Sequence, residues 1–371
     1  MLNSDIMKNE ERVAYALRSL YSAFGYERYK MSKFEEYDLY VRNKDFLISQ
    51  GIITFTDTNG KLLALKPDVT LSIIKNSKDE QGCVQKLYYD ENVYRTSKDS
   101  RSFKEIAQTG LECIGDVDLY SVSEVLLLAI RSLETIDSNY VLDISHAGLV
   151  EAVLGLCSFS ADTAKKVASA IQSKNSDEIK YLCRQGEITE RDMALVEVFL
   201  CNYADSQALS EKLSSLTDDE SVKSALEQFS QILSMAKKLS EGGRLNIDFS
   251  IADTVGYYSG VVFKGYIKGI PTVVLSGGQY DRLMEKMGKK QKAIGFAVYL
   301  DTLERHKDVK KEYDCDCVIL RDGLSDVAEV ILAAKEIADK GESVRVLCSI
   351  SQDMKYKRLI DMRRGDKNGN A

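Results

Sequence analysis

Histidine and proline are scarce in this 371-residue chain, with two of each, and several familiar signatures are missing altogether. His146 and His306 are the only imidazoles, so a histidine dyad or histidine-based metal centre would have to be built on one of them. The eight cysteines, at 83, 113, 157, 183, 201, 315, 317 and 348, include no CxxC pair, and Cys315 and Cys317 make only CxC. That spacing points to free thiols in a reducing compartment and away from a metal site or disulfide framework. Neither GxGxxG nor GxxxxGK[ST] occurs, so Gly277-Gly278 reads as a tight turn or a close backbone approach, with weak support for a phosphate cradle. No window approaches the ~18 apolar residues of a membrane span. The opening MLNSDIMKNEERVAYALRSL carries charges where a signal peptide needs an apolar core. A cytoplasmic protein is expected, with no metal and no cofactor. The net charge of -7 and pI near 5.3 give no overall attraction for phosphate backbones, so nucleic acid is not expected as a partner.

What is present is an ordinary globular composition, 44% hydrophobic and 29% charged, on a chain long enough for two domains. Residues 8–24 place Val13, Ala16, Leu17, Leu20, Tyr21 and Phe24 on one helical face. Tyr26 to Tyr40 reads as extended. Two alternating runs then flank Asn59-Gly60, a dipeptide suited to a type I′ hairpin turn, and Pro67 precedes a helix from Thr70 to about Lys75. Residues 82–94 form a strand, 119–136 a strongly amphipathic helix and 140–145 a short strand. Residues 148–242, free of proline and rich in Ala, Ser, Leu, Lys and Glu, predict a helical insertion of four or five helices. Strand patterns return at RLNIDFSIAD, VGYYSGVVFKGYI and PTVVLSGG; helices are expected at 279–287 and from about Asp301, with a strand at 293–298 between them. From Asp314 the order is β, α, β, closing on the charged run KRLIDMRRGDKNGNA, expected to fray.

The stretch from Tyr94 to Gly115 is the chemical focus. Alternation on both sides of the polar loop 96–102 predicts a strand pair carrying Arg95. Gln108, Gly110 and Glu112 fall at i, i+2 and i+4, on one face of the second strand, with a side-chain-free gap between an amide and a carboxylate. Spacing alone fits a water-facing surface as well as the floor of a small polar site.

Taken in order, the hairpin, KPDVT, the strand pair with Arg95, the helical stretch, YYSGVVF, SGGQYDRL and AIGFAVYLD resemble the catalytic domain of histidyl-tRNA synthetases over residues 8–305. Phe55, Asp57, Gly60, Leu63, Leu65, Lys66, Pro67, Asp68 and Thr70 follow the family's "F-D-x-x-G-x-x-L-x-L-R-P-E-x-T", with Lys for Arg and Asp for Glu. Gln108, Gly110, Glu112 and Gly115 follow "Q-x-G-x-E-x-x-G". The resemblance implies an α+β fold of the class II aminoacyl-tRNA synthetase type, an antiparallel sheet flanked by helices and dimeric through its N-terminal elements. It places that domain at 1–310, with the helical insertion 148–242 inside it, and a partial α/β segment at 314–371. It also implies a histidine pocket formed by Asp68, Thr70, Arg95, Gln108, Glu112, Tyr257 and Tyr258, with the tyrosines against the imidazole. In a regular strand Tyr257 and Tyr258 point to opposite faces, so one would face the ligand and the other the core.

Three departures bear on adenylation, whose spreading negative charge calls for fixed cations. Asp253 stands where the family has an arginine ahead of the tyrosine pair, Thr302 replaces the motif 3 arginine, and Thr96, Ser97 and Lys98 replace the "H-E-R" after Arg95. The C-terminal segment is also short for an anticodon-binding domain. These features resemble the regulatory branch of the family, which binds the short catalytic subunit of ATP phosphoribosyltransferase and senses histidine without chemistry of its own. Two rivals stay open. One is a divergent histidyl-tRNA synthetase using Lys98, Arg101, Lys104 or Arg305 as substitute cations; the other is a synthetase-like enzyme acting on another amine or carboxylate.

Overall fold

The apolar spacing of the first helical stretch builds α1 (Asn9–Ala23), which buries Val13, Ala14, Leu17 and Tyr21. The computed structural model describes residues 7–43, 51–78, 82–96, 102–240, 244–252, 257–303 and 313–365. After the short strands β1 (Glu27–Arg28) and β2 (Phe34–Glu36), the expected extended run turns into a helix, α2 (Tyr37–Arg42). Tyr40 is wholly buried there, and the gain from covering its ring overrides a weak local preference.

Strands β3 (Thr54–Thr56) and β4 (Leu62–Leu65) form the anticipated hairpin, but its turn differs from the expected type I′. A type I′ turn needs positive φ at both central residues, and only Gly60 has it, at 80°. The Asp57 carboxylate accepts from the amides of Asn59 and Lys61, each at 2.8 Å, while Gly60 N donates to Asp57 O. The aspartate side chain thereby sets a wider loop ending in one left-handed glycine. Helix α3 (Thr70–Asn76) starts where Pro67 permits.

Strands β5 (Val84–Thr96) and β6 (Phe103–Gly115) pair along their whole length. Helix α4 (Leu119–Ile136) is capped by Asp118, whose carboxylate accepts from Ser121 N at 2.9 Å, and leads to β7 (Tyr140–His146). The insertion then contains six α-helices, more than sequence periodicity resolves: α5 (Ala147–Leu154), α6 (Ala161–Gln172), α7 (Ser176–Arg184), α8 (Glu190–Glu197), α9 (Ser206–Ser214) and α10 (Glu220–Leu239). Five of them are eight to twelve residues long, and Ser160, Asn175, Thr189, Asp205 and Asp219 cap successive starts. These are local signals that an apolar period averaged over a long window blurs. His146 caps α5, its Nδ1 accepting from Leu149 N at 3.0 Å; burial pulls its pKa down to about 4, a neutral structural histidine.

The chain returns to the sheet through β8 (Leu245–Ile247), β9 (Val261–Ile267), β10 (Leu275–Gln279), α11 (Asp281–Lys286) and β11 (Lys292–Tyr299). Eight strands lie in the order β1-β5-β6-β11-β10-β9-β7-β8, antiparallel except for the outermost pairs at each edge. This is the class II synthetase-like arrangement of sheet and flanking helices. Helices α1 and α4 cover one face, with Tyr21, Leu126, Leu133 and Phe296 in a core that runs on into the insertion.

The chain divides into two compact units, 1–307 and 308–371. The second holds β12 (Cys315–Leu320), α12 (Val327–Asp339), β13 (Val344–Leu347) and β14 (Tyr356–Asp361), parallel in the order β13-β12-β14 around Cys317, Ile319, Val330 and Ile337. Part of the charged run expected to fray is thus an edge strand. Lys357 and Arg358 pair with Asp316 and Glu342 at 2.6 and 2.7 Å, while Ile360 packs inward. All eight cysteines are free; Cys83, Cys201 and Cys348 are exposed. Among the described residues no helix is long and apolar enough to cross a membrane.

Replacing Asp118 by alanine should remove the α4 cap and cost about 1 kcal/mol, read as a lower urea midpoint with an unchanged slope.

Candidate functional site

The open face of the sheet, opposite α1 and α4, carries the cavity, and strand register builds it in rows. One row runs Tyr89, Gly110, Ala297 and Ser276 across β5, β6, β11 and β10. A second runs Glu112, Gly295 and Gly278, and Gln108 lies opposite Tyr299 in a third. Together with the Pro67–Thr70 corner, Arg95 and the tyrosines at 257, 258 and 280, these rows enclose a cavity of about 110 Å³. That volume holds several waters, the scale of a small metabolite.

All seven residues named from the sequence, Asp68, Thr70, Arg95, Gln108, Glu112, Tyr257 and Tyr258, line this one cavity. Gln108 and Glu112 are buried, which decides against the water-facing alternative. The gap at Gly110 serves the protein and not a ligand: a Cβ there would collide with the Tyr89 ring and with Phe296 O, so Tyr89 lies over the glycine. Gly295 does the same for Glu112, whose carboxylate occupies the space a side chain at 295 would fill.

Tyr257 and Tyr258 correct the alternation argument. They precede β9 in a turn and bridge, where period-two geometry does not apply, and both line the cavity with ring centroids 4.7 Å apart. Three further tyrosines, Tyr89, Tyr280 and Tyr299, and Ser276 were not singled out by sequence. Ser276 lies close to the hydroxyls of both Tyr258 and Tyr299. Tyr280 and Tyr299 sit inside SGGQYDRL and AVYLD, and Tyr89 could have been found only by pairing its strand with Gly110.

Glu112 is the electrostatic centre. Thr70 Oγ1 donates to its Oε1 at 2.8 Å, and the Tyr280 hydroxyl donates to Oε2. Both bonds favour the carboxylate, yet burial outweighs them and pushes the pKa up to about 8, with Asp68 adding in the same direction. Burial also raises Asp68, against its bond from Leu71 N at 2.8 Å and the nearby Arg95 guanidinium. The corner bearing Asp68 and Thr70 is tied to β5 three times. Arg95 Nε donates to Pro67 O at 2.8 Å, Tyr94 N to Lys66 O at 2.9 Å, and the Lys66 ammonium, 1% exposed, pairs with Glu91.

Thr302 is not among the lining residues. Its hydroxyl donates to Tyr299 O at 2.6 Å, closing its own turn. Asp253, Lys98, Arg101, Arg305 and His306 lie outside the described residues. Among the described residues no cluster of His, Cys, Asp and Glu could hold a metal ion.

The family model described as Histidyl-tRNA synthetase matches residues 2–303. The chain belongs to the histidyl-tRNA synthetase family. Within and around that family, its curated relatives include the ATP phosphoribosyltransferase regulatory subunit of Alkaliphilus metalliredigens, 26% identical over 286 residues, 76% of this chain and 72% of the relative. The protein of the same name from Clostridium acetobutylicum is 27% identical over 293 residues, 77% of this chain and 72% of the relative. Among solved structures, an ATP phosphoribosyltransferase regulatory subunit/histidyl-tRNA synthetase from Bacillus halodurans superposes with a TM-score of 0.78 at 23% identity, covering 96% of this chain and 94% of that one. A chain of the HisG:HisZ ATP phosphoribosyl transferase complex from Thermotoga maritima gives 0.62 at 22% identity, covering 78% and 97%. At these identities the structural likeness fixes the family's fold and leaves ligand and partner to be argued from the site.

Two outcomes follow from the electrostatics. In Lys66→Met, Glu91 loses its cation in a mostly buried place, which should cost about 3 kcal/mol in denaturant unfolding, recovered in large part by adding Glu91→Leu. Because the folded pKa of Glu112 lies above its ordinary value, its contribution to stability is full below about pH 4.5 and is lost as pH rises through about 8. Glu112→Gln should therefore flatten the fall in denaturation midpoint between pH 5 and 8 that the native chain shows.

Proposed function

We propose that this protein is the regulatory subunit of an ATP phosphoribosyltransferase of histidine biosynthesis, a cytoplasmic dimer that binds the short catalytic subunit and holds histidine in the cavity around Glu112. The observation that carries the reading is the set of curated relatives bearing that name across about three quarters of the chain. The site supports the ligand. Glu112 and Asp68 offer acceptors for an ammonium, Arg95 is a cation on the same wall, and Tyr257 and Tyr258 offer faces and hydroxyls to an imidazole. Thr302, uncharged and turned to its own backbone, supplies no cation for adenylation. Control by histidine then requires that the ligand bind one state of the assembly better than another, since a ligand shifts an equilibrium only by its differential affinity.

Mixing the protein with its cognate short catalytic subunit should give a co-eluting complex by size-exclusion chromatography with light scattering, and histidine-dependent ATP–pyrophosphate exchange should be absent. Robust exchange without co-elution would replace this reading with a divergent synthetase.

A further inference from the structure

The strand ladder beside the tyrosine pair ends irregularly. Strands β9 and β10 pair in register as far as Gly278 opposite Val262, and one further step would set the Gln279 backbone against Val261. Instead, Val261 N donates to the side-chain Oε1 of Gln279 at 3.0 Å, while Gln279 O accepts from Ser259 N, two residues further back, at 2.9 Å. The amide side chain thus takes the place of a main-chain partner, and the chain ahead of β9 leaves the strand alternation at this point. From this exchange of partners we infer that Gln279, which is not among the residues lining the cavity, positions Tyr257 and Tyr258 inside it. This rests on the histidine reading of the cavity and goes beyond it, naming a side chain outside the cavity on which its tyrosine wall depends.

Two glycines make the arrangement possible. A Cβ at Gly260 would collide with the Gln279 amide, so the glycine lets that side chain lie across the turn and reach Val261. A Cβ at Gly278, next to Gln279, would come within 2.7 Å of the Tyr258 ring, which occupies that space. Tyr257 then stands edge-on to Tyr258 at 4.7 Å and lies 6.3 Å from the Tyr280 ring, so the turn and not the ladder sets the pair. Other ties hold the turn as well: Asp281 N donates to Ser259 Oγ at 3.0 Å, and Ala147 N to Gly260 O at 2.8 Å. Among them, Gln279 Oε1 is supplied by a side chain from outside the turn, so it can be removed without changing the tyrosines themselves.

Fluorine NMR of the intact chain labelled with fluorotyrosine tests this without any ligand, the resonances of Tyr257 and Tyr258 being identified by Tyr257→Phe and Tyr258→Phe. In Gln279→Met, which keeps the length and loses the acceptor, both resonances should move; in Gln279→Glu, which keeps an acceptor oxygen, they should stay. Gly260→Ala pushes on the same amide from the other side and should move the same two resonances. Calorimetric titration with histidine should show binding ~10-fold weaker in Gln279→Met and within ~2-fold of native in Gln279→Glu, about the worth of one hydrogen bond. A lower denaturation midpoint in Gln279→Met with unchanged resonances and affinity would overturn the inference, as would equal effects of the Met and Glu variants. If the native chain binds no histidine while the resonances move as stated, the histidine reading falls and the positioning role stands.

Discussion

A carboxyl group buried in the middle of a sheet needs room and hydrogen-bond donors, and the cavity of this protein follows from how Glu112 obtains them. Room comes from Gly295, directly across the β6–β11 ladder. Donors come from Thr70 and Tyr280, which enter from opposite sides of the strand pair. Thr70 can do so only because the corner that carries it is fastened to β5 by Lys66, Arg95 and Tyr94. Tyr280 can do so because β10 ends beside β11. Loosening any of these would leave a buried acid without partners, a costlier state than never having placed it there.

Much of this was legible from residue order. Period-two alternation located β5 and β6, and all seven nominated side chains converge on one cavity although they come from four separate stretches. The failures have physical causes. Tyr257 and Tyr258 were judged as strand residues, but they precede the strand and escape its alternation. Gly110 was read as space for a ligand because the sequence does not state which residue on β5 stands opposite, and register puts the Tyr89 ring there. The turn at Asn59-Gly60 was assigned from its two central residues, whereas the Asp57 side chain decides it. In the insertion, five short helices and one long one each begin at a local capping signal that a broad apolar period does not resolve.

The family relationship and the site divide the labour of explanation. Shared fold accounts for the sheet, the helices behind it and the ladder that aligns Glu112 with Gly295. It does not dictate the charge inventory of the cavity, which belongs to this chain. A shared fold can host different activities, so function has to be argued from the side chains of the site and not from the fold.

The contact between Glu112 and Gly295 also constrains how such sequences can diverge. A Cβ at 295 would meet both the Glu112 carboxylate and, at 2.4 Å, the backbone oxygen of Leu111, so the acid at 112 needs the glycine, but losing the acid alone does not free position 295. Across relatives the acid at 112 should therefore occur only opposite a glycine, whereas the glycine should persist where the acid is replaced.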